Sequence, residues 1–219
     1  MVRGDLVAAG GCGVAFREAI VIQKKVFGEE HPDVADSLFN LRRVLADEHR
    51  VAEAEAACRE ALAMRRKLMG NEHPQVAVSL YSLATLCRTE GKLAEARSLA
   101  EEALAMYRRH PDWPQNEREH AFEVFGNVLT DLAMGLLMQG KVDEAESVSR
   151  DLLALSGQLP KPWQASALNR IAWLLATALG PKLRGGTNAI SFAEKAVALT
   201  SRTNARHLDT LAAAYAASG

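Results

Sequence analysis

Residues 28–69, GEEHPDVADSLFNLRRVLADEHRVAEAEAACREALAMRRKLM, align without a gap to residues 70–111, GNEHPQVAVSLYSLATLCRTEGKLAEARSLAEEALAMYRRHP. Of the 42 aligned positions 19 are identical, a self-similarity that chance does not produce. His31-Pro32 returns as His73-Pro74, Ser37-Leu38 as Ser79-Leu80, and Glu60 to Met64 as Glu102 to Met106. Within each copy the apolar spacing is helical: Leu38, Leu41 and Leu45, then Ala54, Cys58, Ala61 and Met64. Polar runs at 47–50 and 89–92 separate the two stretches, and Gly91 suits a helix terminator. Pro32 and Pro74 fall where a first helical turn tolerates a missing N–H. Each copy therefore reads as a hairpin of two helices.

Composition agrees. The chain has 219 residues, 48% apolar and 24% charged, which suits a globular protein with a sizeable core. Ala and Leu supply about 30% of it and aromatics only 5%, favouring helices over strands. With 26 basic and 27 acidic side chains the net charge is -1, which leaves no electrostatic footprint for general nucleic-acid binding.

The pattern continues past the duplicated stretch. Leu129, Leu132, Ala133, Leu136, Gly140 and Ala145 rebuild it with seven extra residues in the preceding linker around RRHPDWPQNE. Leu168, Ile171, Ala172 and Leu175 open a fourth copy with a long internal loop, GPKLRGGTN. Leu208, Leu211, Ala212 and Tyr215 supply a fifth first helix. Upstream, Phe16, Glu18 and Ala19 align with Cys58, Glu60 and Ala61, so residues 14–27 read as a second helix without its first. The expected organisation is an irregular segment at 1–13, a half repeat at 14–27, repeats at 28–69, 70–111, 120–159 and 163–200, and a half repeat at 205–219. Glycines at 4, 10, 11 and 13 are the reason for expecting no helix at the start.

Small residues recur at the expected helix crossings: Ala54, Ala96, Ala145 and Ala189, then Ala61, Ala103 and Ala196, with Leu152 in the third copy. This arrangement resembles the tetratricopeptide repeat. Its 42-residue period and Gly-x-x-His-Pro linker are similar to the kinesin-light-chain type of that family, a type also widespread in bacterial proteins. The resemblance implies an all-α fold, a right-handed α-solenoid of antiparallel helix hairpins. It also implies an inner groove lined by the first helix of each pair, at the positions one, five and eight after the first core Leu. In this chain those are Phe39, Arg43 and Ala46; Tyr81, Thr85 and Arg88; Thr130, Met134 and Leu137; Asn169, Trp173 and Ala176; Asp209 and Ala213. Phe39, Arg43, Tyr81, Arg88, Met134, Asn169 and Trp173 are the candidate peptide-binding residues, because aromatics and Arg carry most interface energy. The lysine and asparagine clamp of the chaperone-tail-binding branch is missing, and the Asn-Asn pair common after the core Leu in kinesin light chains is replaced by Phe39-Asn40, Tyr81-Ser82 and Thr130-Asp131, so neither ligand class carries over. Arg42 stands where Ala84 and Ala133 stand in later copies, which predicts a looser first repeat.

Candidate chemistry is sparse. His31 and His73 belong to the repeated linker, and no carboxylate or Cys set accompanies them at metal-ligand spacing. His110 and His120 are ten apart, not the i, i+4 of a helical zinc pair, and suit a solvated loop. Cys12, Cys58 and Cys87 are too few for a disulfide framework, and the last two fall at core positions; a cytoplasmic setting is expected. The start MVRGDLVAAGGCG is a poor lipoprotein signal, being short, charged at Asp5 and unbranched at Ala9. LRGGTN at 183–188 lacks the Lys-Ser/Thr of a phosphate loop. No catalytic role, cofactor, metal or membrane is expected. The expected role is a scaffold that holds a protein or peptide segment, with end-to-end self-association through uncapped terminal helices as a further expectation. The alternative is a regulatory or docking arm of a larger enzyme, because residues 168–219 resemble the terminal repeats that follow kinase domains in some bacterial Ser/Thr kinases. Neither HRD nor DFG occurs here.

Overall fold

The computed structural model describes residues 3–156, 161–177, 186–201 and 203–218. Among them ten helices follow one another and no strand occurs. They are α1 (Arg3–Phe27), α2 (Pro32–Asp47), α3 (Val51–Met69), α4 (Pro74–Thr89), α5 (Leu93–Arg109), α6 (Gln115–Met138), α7 (Val142–Ser156), α8 (Lys161–Thr177), α9 (Gly186–Leu199) and α10 (Ala205–Ser218). α2 packs on α3, α4 on α5 and α8 on α9 as hairpins; α1 joins α2, α3 joins α4, and α10 packs on both α8 and α9. The helices gather into two compact units, Met1–Ala121 and Phe122–Gly219.

Local sequence sets the helix ends. His31 and His73 are N-caps: each is extended, and its imidazole Nδ1 accepts a hydrogen bond of 3.2 Å from the backbone N–H two residues on, at Asp33 and Gln75. That satisfies one of the orphan donors of a helix start, and the following proline has none to satisfy. The repeated His-Pro is thus a capping device. At the turn inside each hairpin the Arg50 N–H reaches the Leu45 carbonyl, Lys92 reaches Cys87 and Lys141 reaches Leu136, at 2.8 to 2.9 Å. These are the six-to-one bonds of a Schellman turn, and the residue before each donor sits at positive φ: His49, Gly91 and Gly140.

The core follows the apolar spacing. Val34, Leu38, Leu41 and Leu45 of α2 are buried against α3, and Leu80, Leu83 and Cys87 repeat the arrangement on α4. The small residues at the expected crossings, Ala54, Ala61, Ala96, Ala103, Ala145, Ala189 and Ala196, are all buried, as is Leu152. In the second unit Ala172, Ala176, Ala189, Ala193 and Ala214 form a tight cluster, with Ile190, Phe192 and Leu211 against it.

A ladder of ion pairs also repeats every 42 residues. Arg17–Glu53 (2.8 Å) joins α1 to α3, and its counterpart Arg59–Glu95 (2.7 Å) joins α3 to α5. Lys24–Glu60 (3.0 Å) is repeated as Arg66–Glu102 (2.6 Å), and Lys67–Glu30 as Arg109–Glu72. The ladder puts α1 in the place of a second helix, as its alignment with α3 requires.

Two expectations need correction. Residues 3–13 are helical and not irregular. Gly13 packs at the α2 side: a Cβ built on it would meet Glu48 Oε1 at 3.4 Å and Val44 Cγ1 at 3.7 Å, ordinary contact distances. Packing of that kind overrides propensity. The extra linker residues, in turn, do not form a solvated loop. Most of them prolong α6, which has 24 residues where α2 and α4 have 16. Trp113 stacks on His110 (centroids 4.4 Å apart) and meets Tyr107 edge-on at 5.6 Å. The Tyr107 hydroxyl donates to Glu117 at 3.2 Å, closing the linker onto α5.

Candidate functional site

In the first unit, α2 and α4 carry four of the candidate residues. Phe39 is half-buried, with the Arg42 guanidinium 4.2 Å from its ring centroid and that of Arg65 at 4.3 Å. Arg65 is buried and held by Asp36 (2.7 Å), the Ser79 hydroxyl (2.7 Å) and the Gln75 carbonyl (3.2 Å). Two cations against one ring make cation–π contacts that fix its orientation. Arg42 therefore occupies the room that Ala84 leaves in the next repeat by lying on Phe39, and burial lowers its pKa. Tyr81 is half-buried and meets His120 edge-on at 5.0 Å. Burial, with Glu117 adding, pushes its phenol up to about 12, so the hydroxyl stays protonated and able to donate. Arg43 is exposed and Arg88 half-buried. Sequence reading missed Arg42, Arg65 and His120 as neighbours of the two aromatic rings. His120 lies on the extension of α6, which has no counterpart in the other copies.

In the second unit, α6, α8 and α10 enclose a cleft of about 340 Å³. It is lined by Thr130 of α6, by Asn169, Arg170 and Trp173 of α8, and by Arg206, Asp209, Thr210 and Ala213 of α10. Thr130, Asn169, Trp173, Asp209 and Ala213 are among the positions that the resemblance assigns to the groove, and three successive first helices bring them to one place. Trp173 is 42% exposed. The Oδ1 of Asn169 is buried and has no hydrogen-bond partner among the described residues. Three of the other polar side chains are anchored: Thr130 donates to the Gly126 carbonyl (2.8 Å), Thr210 to that of Arg206 (3.0 Å), and Arg170 to Asn127 Oδ1.

The remaining candidates are not in this cleft. Met134 is half-buried outside the lining, and Ala176 belongs to the alanine core because α9 covers that side of α8. The side chain of Leu137 and the residues 183–185 of the glycine-rich loop lie outside the described residues. Arg170 and Arg206 were missed because they flank the inward positions, and only the long guanidinium side chains bring them to the rim.

Metal chemistry has one geometric candidate among the described residues: ligand atoms of Glu55, Cys87 and Glu95 lie within 4.8 Å of one another. Cations of the chain already fill it. Arg59 bridges Glu55 (2.6 Å) and Glu95 (2.7 Å), and Lys92 holds Glu55 at 2.8 Å. Lys92 and the other donors bring Glu55 down to about 2, while burial pushes the Cys87 thiol up to about 11. A protonated thiol beside neutralised carboxylates is a poor metal ligand set. Cys58 is buried and likewise raised to about 11. No helix among the described residues is long and apolar enough to cross a membrane.

Comparison with known proteins fits this architecture. Residues 43–109 match the tetratricopeptide repeat family. No curated protein matches the sequence. Among solved structures, the nearly identical TPR-like repeats of a Podospora anserina kinesin light chain superpose with a TM-score of 0.65 at 19% identity, over 90% of this chain and 89% of that one. A point variant of the same protein gives 0.65 at 20% identity, over 89% of this chain and 88% of that one. BtubC (BKLC) from P. vanneervenii gives 0.62 at 18% identity, over 96% of this chain and 83% of that one. Residues 43–109 are thus similar to tetratricopeptide repeats, and the chain shares the fold of the kinesin-light-chain TPR-like repeats.

Proposed function

We propose that the chain is a protein-interaction scaffold whose binding site is the cleft between α6, α8 and α10, and that it takes a peptide segment of a partner protein there. The observation that carries this reading is the buried, unpaired carboxamide oxygen of Asn169 beside the exposed indole of Trp173. A buried acceptor without a donor costs about 1–3 kcal/mol, which a ligand N–H would recover. An indole with one open face supplies rigid apolar area at little entropic cost. Recognition would be preorganised, since both side chains stand on packed helices. Whether the bound segment belongs to a separate protein or to another domain of one polypeptide, such as a Ser/Thr kinase, changes the covalent context and not the site.

Capture from cell lysate by the purified chain, compared with Trp173→Ala and Asn169→Ala variants of unchanged helicity, tests it. One or a few partners retained by the parent chain and lost by both variants is the expected result, with affinity at least about tenfold lower for Trp173→Ala. Partners held equally by all three chains would move the binding site elsewhere. Self-association is a second reading, favoured by the exposed apolar side chains of α1 and of α10, where Leu208 and Tyr215 are open.

A further inference from the structure

α1 has two different faces. One is docked: Ile20 is buried, Gly13 closes on α2, and Arg17 and Lys24 are paired with Glu53 and Glu60 of α3. The other carries Val14, Val21, Ile22 and Val26, exposed by 56%, 52%, 61% and 66%. Branched aliphatics gathered in water on one helix face mark an interaction surface more than chance exposure does.

This outer face repeats every seven residues. Val14 is followed by Val21, Ala15 by Ile22, Glu18 by Lys25, and Ala19 by Val26. A seven-residue apolar repeat keeps one face turned toward a partner helix along its length. Glu18 and Lys25 lie along the middle of the face, between the two apolar rows. Both are exposed, and neither makes a hydrogen bond or ion pair among the described residues, unlike Arg17 and Lys24 beside them.

Those two charges choose a partner and a direction. If two copies of α1 lie antiparallel about a two-fold axis between positions 21 and 22, position 18 of one copy stands opposite position 25 of the other. Each interface then gains two Glu–Lys pairs, and Val21 of each copy packs on Ile22 of the other. A parallel pairing would stack Glu18 on Glu18 and Lys25 on Lys25, which is repulsive.

We propose that the outer face of α1 is the interface of an isologous dimer, two copies of this chain packed antiparallel through Val14, Val21, Ile22 and Val26 with Glu18 of each against Lys25 of the other. The proposal rests on the self-association reading and replaces an open head-to-tail stack with a closed pair.

Sedimentation velocity on the full chain, from about 1 to about 100 µM as suits a small interface, tests it. The expected result is a monomer–dimer equilibrium. Ile22→Asp, at an exposed position that leaves helicity unchanged, weakens dimerisation at least about tenfold. Glu18→Lys weakens it about threefold or more, and Glu18→Lys with Lys25→Glu restores it, because the double swap rebuilds both pairs. A chain monomeric at every concentration would overturn both this pairing and self-association as such. An assembly indifferent to Ile22→Asp would leave self-association standing and overturn the role of α1. A dimer lost with Ile22→Asp but not rescued by the charge swap would overturn the antiparallel register.

Discussion

His49 and Gly91 occupy the same place in successive repeats, 42 residues apart, and both take the left-handed backbone, with φ of 61° and 76°. Glycine adopts that region freely, whereas a side chain there costs about 1 kcal/mol or more. Gly91→Ala is therefore expected to destabilise the chain by about 1 kcal/mol, and His49→Gly to stabilise it by a few tenths to about 1 kcal/mol. Urea unfolding of both variants measures this, and equal signs would show that the turn is not what the substitutions sense. A single sequence carries such information unevenly. Gly91 announced its turn, while His49 did so only through its alignment with Gly91. Asn169 and Trp173 could be placed in the cleft from their offset after Leu168, because the offset of a helical position fixes the face it points from. Met134 and Ala176 obey the same offsets and lie elsewhere, since the neighbouring helix decides whether an inward position stays open.

At the scale of the helix, periodicity located α2 to α5 closely, because both apolar spacing and caps repeat. It placed residues 14–27 of α1 but not residues 3–13, where glycine content argued against a helix that α1 nevertheless forms. The ion-pair ladder was equally written in the sequence, as charges recurring at 42, but opposite charges 36 residues apart become partners only once the repeats stack. Glu55 shows what such pairing does to titration. Its carboxylate is brought down to about 2 from an ordinary 4.5, chiefly by Lys92, so the unfolded chain binds its proton more readily than the folded one does. The stabilisation is thus complete above about pH 4.5 and is lost as the pH falls toward about 2. Glu55→Gln is expected to lower stability at neutral pH and to flatten the fall between those limits. Urea midpoints at about pH 7, 4, 3 and 2.5 for both chains give the comparison, and parallel acid profiles would remove Glu55 from the account.

At the scale of the molecule, repeat arrays draw stability from each hairpin and from the interfaces between neighbours. In the unit Met1–Ala121 those interfaces include three kinds of ion pair, each present twice. Most of the groups are about half exposed, so each pair contributes little and is open to screening. The six pairs summed are nevertheless a considerable part of a marginal stability. Raising NaCl from about 20 to about 500 mM shortens the Debye length from about 20 Å to about 4 Å and should remove most of that sum. Trp113, packed between His110 and Tyr107, reports on this unit once Trp163 and Trp173 are replaced by Phe. Its unfolding midpoint in urea is expected to fall measurably as salt is raised. In a chain with Glu30, Glu53, Glu60, Glu72, Glu95 and Glu102 changed to Gln, the midpoint should start lower and hardly respond to salt. A midpoint that rises with salt in the parent chain would show that apolar burial alone joins one repeat to the next, with the charged ladder only marking where the repeats meet.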